Sequence, residues 1–201
     1  MAAPAATRRE LLAAAVAGVA LAAPATALAA TAPALPPDPP AGRLRRLLSV
    51  ELLLLYCYRH VLGTSLPSPA ARPVLELQAR HEAAHIHALS VELTRLSPSG
   101  AIPVGPRGVG AADRALARRN ITGRLGQLQG EKDALHLLLE AERVVGGAYF
   151  VALTKLEDQR LIALAVSIMG SEAQHEALIG DLLYPGDAQR SVPYGLIQGI
   201  Q

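Results

Sequence analysis

The sequence predicts an all-α protein: a four-helix bundle made of two antiparallel helix pairs joined by a long crossover. Three observations carry this reading. The 201-residue chain is 51% apolar but only 3% aromatic, has no Trp and is rich in Ala and Leu, which favours helix over sheet. Four stretches repeat apolar residues at steps of three and four, the spacing of one helix face. In each stripe a Glu replaces a hydrophobic residue, and along the chain the order is Glu, Glu-x-x-His, Glu, Glu-x-x-His.

The first segment, 1–29, reads as an export signal. Arg8 and Arg9 precede an apolar stretch, and Ala27-Leu28-Ala29 is a small-x-small cleavage site. Thr7 to Leu12 resembles a twin-arginine signal, with Leu11 where Phe is common and Ala13 where Lys is common. Cleavage is the expectation; retention as a membrane anchor is the alternative, which Pro24 and the excess of Ala over Leu oppose. The protein is then expected in the periplasm, the cell wall or the medium, touching the membrane only during export. Residues 30–42 are rich in Ala and Pro and read as an extended tether.

The domain proper is expected over 43–183. The first helix, 43–62, aligns Leu44, Leu47, Glu51, Leu55, Tyr58 and Leu62, and Gly63 stops it. Cys57, the only cysteine, is read as a buried, inert thiol. The second helix, 71–96, aligns Leu75, Gln78, Glu82, His85 and Leu89. A loop over 99–110 follows, then a short helix over 113–119 and a glycine-loosened stretch to Gly130. The third helix, 131–156, aligns Leu135, Leu138, Glu142, Val145, Tyr149 and Ala152; Glu140 falls off that stripe and is expected to be exposed. The fourth, 159–183, aligns Leu161, Ala165, Ile168, Glu172, His175, Ile179 and Leu182. A polar tail, 184–201, has no readable role.

Loop lengths give the topology. Short links join the first helix to the second and the third to the fourth, so each pair is antiparallel. More than thirty residues separate the second from the third, enough to cross the length of the bundle. The halves also repeat weakly: Glu51 precedes Tyr58 by seven residues and Glu142 precedes Tyr149 by seven.

Four carboxylates placed in apolar seams demand cations. An unpaired buried carboxylate costs several kcal/mol even after relaxation. Two divalent ions would neutralise four Glu, leaving two imidazoles as neutral donors. The i, i+3 spacing in Glu-x-x-His puts both side chains on one face. Two helices giving one Glu each and two giving Glu-x-x-His is the pattern of a di-metal carboxylate site in a bundle core. Oxygen and imidazole donors suit iron or manganese, without choosing between them.

On these residues, with Glu142 followed by Gly147-Ala148-Tyr149, and Ser171-Glu172-Ala173-Gln174-His175, the stretch 43–183 resembles the ferritin-like superfamily, in particular exported bacterial ferritin-like domain proteins. The resemblance implies Glu51, Glu82 and His85 on one metal, Glu142, Glu172 and His175 on the other, and bridging by Glu82 and Glu172. It implies two iron ions (or manganese) and an oxidoreductase that oxidises Fe(II) or handles oxygen or peroxide. Tyr58 and Tyr149 are candidates to hydrogen-bond a ligand or pass an electron, with core packing as the plainer role. A non-catalytic metal-binding or structural protein of the cell envelope is the alternative.

A third reading starts from His81-Glu82-Ala83-Ala84-His85, which matches the zinc-protease signature His-Glu-x-x-His. Ala88 and Val91 stand where the longer motif needs Gly and a third His, so this reading ranks last. His81 is expected beside the ligands or at the surface, and His87 at the surface. A net charge of +2 gives no ground for nucleic acid as a partner; Arg114, Arg118, Arg119 and Arg124 read as a solvated basic face. Assembly into a homo-oligomer is left open.

Overall fold

A computed structural model describes residues 39–192. The expected export segment 1–29, most of the tether and the tail from 193 lie outside the described residues. Among the described residues there are six helices, one 3-10 turn and no strand. The helices are α1 (Pro40–Leu62), α2 (Ala71–Leu96), α3 (Val109–Ala117), α4 (Glu131–Leu153), α5 (Gln159–Leu183) and α6 (Ala188–Ser191).

Four long helices make the bundle, and their pairing is fixed by cross-contacts. Tyr149 reaches Glu51 while Tyr58 reaches Glu142, so α1 and α4 run antiparallel. His175 meets Glu82 at 2.9 Å and Arg160 meets Glu92 at 2.7 Å, so α2 and α5 also run antiparallel. With α1 and α2 antiparallel across their short loop, α2 and α4 point the same way. The connection between them must therefore traverse the bundle, as the loop lengths predict.

The apolar stripes face inward. Leu44, Leu47, Leu75, Leu89, Leu135, Leu138, Leu161 and Ile168 are all buried in one continuous core. Cys57 is fully buried there, and burial pushes its thiol up to about 12, an inert state at physiological pH. Leu62 and Leu182, at the ends of their stripes, are only half-buried.

Boundaries differ from the sequence expectations for local reasons. α1 starts at Pro40 rather than 43, because proline lacks only an N–H that the first turn would leave unpaired anyway. α3 starts at Val109 because Gly108 holds φ at 98°, a left-handed entry that frees the next residue to begin a helix. α4 stops at Leu153, leaving room to turn before Asp158, which caps α5 by accepting from the backbone N–H of Arg160 and Leu161. Glu140 is half-buried rather than exposed; its carboxylate accepts from the backbone N–H and hydroxyl of Thr122 and ties the crossover to α4.

The crossover is held at several points. α3 buries Ala112, Ala115 and Leu116, and Asp113 accepts from the backbone N–H of Leu125 at 2.7 Å. Arg45 of α1 donates to the Ala101 carbonyl and the Ser97 hydroxyl.

The tail has a structural role that its sequence does not advertise. α6 folds back onto α5 at Gly180, where a β-carbon would stand 2.7 Å from Ser191 Cα. Backbone cannot yield there as a side-chain tip could. Gly180→Ala is expected to undock α6 and to destabilise the protein by about 1–3 kcal/mol in urea melts. An unchanged midpoint would show that the tail contributes nothing.

No helix among the described residues is long and apolar enough to cross a membrane.

Candidate metal centre

The centre lies midway along the bundle because each stripe carries its polar substitution at matching height. Glu51, Glu82, Glu142 and Glu172 are fully buried and His175 is 1% exposed. Only His85 reaches the surface, with 11% of its side chain exposed. All six residues singled out in the sequence come together. They form two groups, Glu51, Glu82, His85 and Glu172, and Glu82, Glu142, Glu172 and His175, each with donor atoms within 4.8 Å of one another. Glu82 and Glu172 belong to both.

Distances within the groups are short, yet the geometry is not that of hydrogen bonding. His85 Nδ1 stands 2.9 Å from Glu172, 3.6 Å from Glu51 and 3.7 Å from Glu82. His175 Nδ1 stands 2.9 Å from Glu82, 3.4 Å from Glu142 and 3.6 Å from Glu172. Both Nδ1 atoms, both oxygens of Glu82 and Glu172, and one oxygen each of Glu51 and Glu142 are buried without a hydrogen-bond partner. Buried polar atoms are rarely left so. Donors about 2.1 Å from one ion and at right angles around it stand about 3 Å apart, close to the spacing here. The residues present fit divalent cations, and the two groups could hold metal ions.

Without cations the cluster retains protons. Burial, offset in part by His85 and reinforced by Glu82, pushes Glu51 up to about 8. Burial and then the neighbouring Glu172 hold Glu142 well above the usual carboxylate range. Burial lowers both imidazoles, but the surrounding carboxylates outweigh it and raise His85 to about 11 and His175 to about 12.

Tyr58 and Tyr149 are fully buried and donate crosswise. Tyr58 of α1 donates to Glu142 of α4, and Tyr149 of α4 donates to Glu51 of α1. Each tyrosine thus fixes one oxygen of the other half's lone Glu and leaves its second oxygen without a hydrogen bond. Burial, then the adjacent carboxylates, hold both phenols well above their ordinary range, so they stay protonated donors.

Around this symmetric frame the two ends differ. Gln78, fully buried one turn before Glu82, places its Oε1 3.2 Å from the Tyr58 hydroxyl, whose one proton goes to Glu142, and donates to the His175 carbonyl at 3.1 Å. Its counterpart before Glu172 is the apolar Ile168. His81 Nδ1 lies 3.0 Å from His175 Nε2, with the two rings stacked, and Ser171 Oγ lies 3.4 Å from the same nitrogen. The positive charge on His175, or an ion on its Nδ1, leaves Nε2 carrying a proton, so His175 donates and His81 accepts. Burial, then the nearby His175, lowers His81 and keeps it a neutral acceptor. His81 is thus beside the cluster, in neither of the two groups, and His87 is exposed. The sequence offered one signal for Gln78, the single uncharged polar residue in a seam of leucines; it offered none for the partnership of Ser171.

Helical architecture, crossover and a buried Glu/His cluster at mid-height together define a ferritin-like bundle. The sequence profile of the ferritin-like domain matches residues 41–185, and the chain belongs to that family. No curated protein and no solved structure matches it.

Proposed function

We propose that the protein binds two iron ions, or two manganese ions, at this centre and oxidises Fe(II) with oxygen or peroxide. One observation carries the reading: eight buried donor atoms without hydrogen-bond partners, arranged as two groups that share Glu82 and Glu172. Glu51 and His85 would complete one ion's set, Glu142 and His175 the other's. The ligand set contains no thiolate, since Cys57 lies in the apolar core, and this favours iron or manganese over softer metals. A pair of Fe(II) ions supplies the two electrons that reduce oxygen to peroxide, or peroxide to water.

The chain's own residues do the rest. Tyr58 and Tyr149 orient Glu142 and Glu51 and hold protons next to the cluster. His81 and Ser171 fix the ring of His175, and Gln78 ties α2 to α5 behind it. The exposed edge of His85 gives a small oxidant its route inward. The arginine pair, apolar run and small-x-small site of 1–29 support work outside the cytoplasm.

The test is reconstitution of the full chain, stripped of metal, with Fe(II), Mn(II) or Zn(II), followed by elemental analysis and oxygen-electrode measurement. Two equivalents of iron with oxygen uptake are expected. Two equivalents without uptake of oxygen or peroxide would leave a metal-binding or structural protein. One zinc, lost on His81→Ala, would return the protease reading.

A further inference from the structure

A groove of about 870 Å³ lies on the outside of the bundle between the first half of α1 and the second half of α4, with residues 118–120 also lining it. Six cations line it: Arg43, Arg46, Arg118, Arg119, Arg143 and Lys155. No acidic residue among the described ones does. The whole chain has 19 Lys and Arg against 17 Asp and Glu, so this is a local concentration of charge rather than a reflection of composition.

At five of these cations little among the described residues offsets the charge. Arg143 has Glu176 at 3.5 Å. Arg43 donates to the Lys155 carbonyl through Nη1, and its Nε is buried without a partner. Arg119 donates to the Ala115 carbonyl, and burial, then the adjacent Arg118, holds its guanidinium below the ordinary range. The exposed side chains of Arg118 and Lys155 make no ion pair among the described residues. Clustered like charges with low-dielectric walls focus an attractive potential on anions.

The floor is apolar. Leu47, Val50, Val144, Ala148 and Val151 line it, and Val151 is 49% exposed, so the groove leaves hydrophobic surface in water. Its volume is that of a small-molecule site. A free inorganic anion would use the cations and waste the floor; a neutral lipid would do the reverse.

We propose that this groove binds a small amphipathic organic anion, an apolar body carrying a phosphate or carboxylate group. The apolar body lies along Val50, Ala148 and Val151, and the anionic group sits among Arg118, Arg119 and Lys155. Val50 and Ala148 directly precede Glu51 and Tyr149, so the ligand lies behind that half of the buried cluster. The site does not depend on the metal reading.

Titration calorimetry on the full chain at low salt tests this, with dodecyl phosphate below its micelle concentration as probe and inorganic phosphate and dodecyl maltoside beside it. Dodecyl phosphate is expected to bind roughly ten-fold or more tightly than either, and more weakly as salt is added. Arg118→Glu with Lys155→Glu should weaken it roughly ten-fold or more; Arg114→Glu, an exposed arginine outside the groove, should not. Circular dichroism verifies folding, and if the double variant melts early, Arg118→Gln and Lys155→Gln singly are expected to weaken binding in the same direction. Wild-type affinity in these variants overturns the proposal. So does equal affinity for inorganic phosphate, which would make this a plain oxyanion site. Sedimentation with phosphatidylglycerol vesicles, without binding of monomeric dodecyl phosphate, overturns it in favour of a membrane-docking face.

Discussion

Glu172→Gln is expected to abolish retention of both metal ions, whereas Glu51→Gln abolishes retention of one. The difference follows from membership. Glu172 stands in both donor groups and Glu51 in only one. One oxygen of Glu172 lies 2.9 Å from His85 Nδ1 and the other 3.6 Å from His175 Nδ1, so its carboxylate spans the centre. The amide keeps the volume and removes the charge. Losing a group that merely orients a ligand costs 10–100-fold in metal affinity, so losing a ligand that serves both ions should exceed about 100-fold at each. Elemental analysis after dialysis reads the stoichiometry: two, one and none for wild type, Glu51→Gln and Glu172→Gln. The metal-free Glu172→Gln protein is expected to melt lower than metal-free wild type, since it loses the carboxylate nearest the charged His85, and circular dichroism verifies that it still folds. Equal losses in the two variants would refute sharing. Two ions retained in both would place the metal elsewhere.

The second large effect is on pH dependence. In the metal-free protein Glu51 titrates near 8, against an ordinary value of 4.5. Between those values the folded state keeps a proton that the unfolded chain has released, so stability falls as pH rises through that window. The imidazoles act in the same direction. His85 and His175 are raised from 6.5 to about 11 and about 12, so their contribution is complete below 6.5 and declines above it. The melting temperature of the metal-free protein is therefore expected to drop between pH 5 and pH 8, by more than about 5 °C. Metal reverses the trend. Binding displaces these protons, so apparent affinity rises with pH and loaded protein should hold its melting temperature over the same range. Thermal melts with and without Mn(II), which avoids oxidation, make the comparison. A metal-free protein that grows more stable from pH 5 to 8 would mean that the carboxylates are ionised and paired, and would remove the argument for cations.

Much of the molecule was legible in the chain. Apolar spacing, with the glycines and prolines between stripes, placed four helices within a few residues of their observed ends, since a helix of this length must bury one face and its sequence records which. The same periodicity put Glu51, Glu82, Glu142 and Glu172 inside, because a residue sharing a stripe with Leu138 or Ile168 has no other side to face. Loop lengths gave the pairing, and Tyr58 and Tyr149 were legible as candidates to hydrogen-bond a ligand, though not which one. Helix ends were less legible, since Pro40 and Gly108 act through backbone geometry that periodicity does not express.

What the tertiary structure alone decided are relations between side chains far apart in sequence. The distances that bring the donor atoms of both groups together depend on the height at which α2 meets α5. The bond from His175 to His81 and the support from Gln78 exist only because those two helices pack side by side. The tail's place on Gly180 has no periodic signal, because one turn of helix is too short to show one. The basic groove makes the point most plainly. Arg118 and Arg119 read as a solvated face in a chain of net charge +2, and Arg43, Arg46, Arg143 and Lys155 stand elsewhere in the chain. Packing α1 against α4 collects all six around one apolar floor, and a focused potential is a property of that arrangement, which no sum over residues along the chain contains.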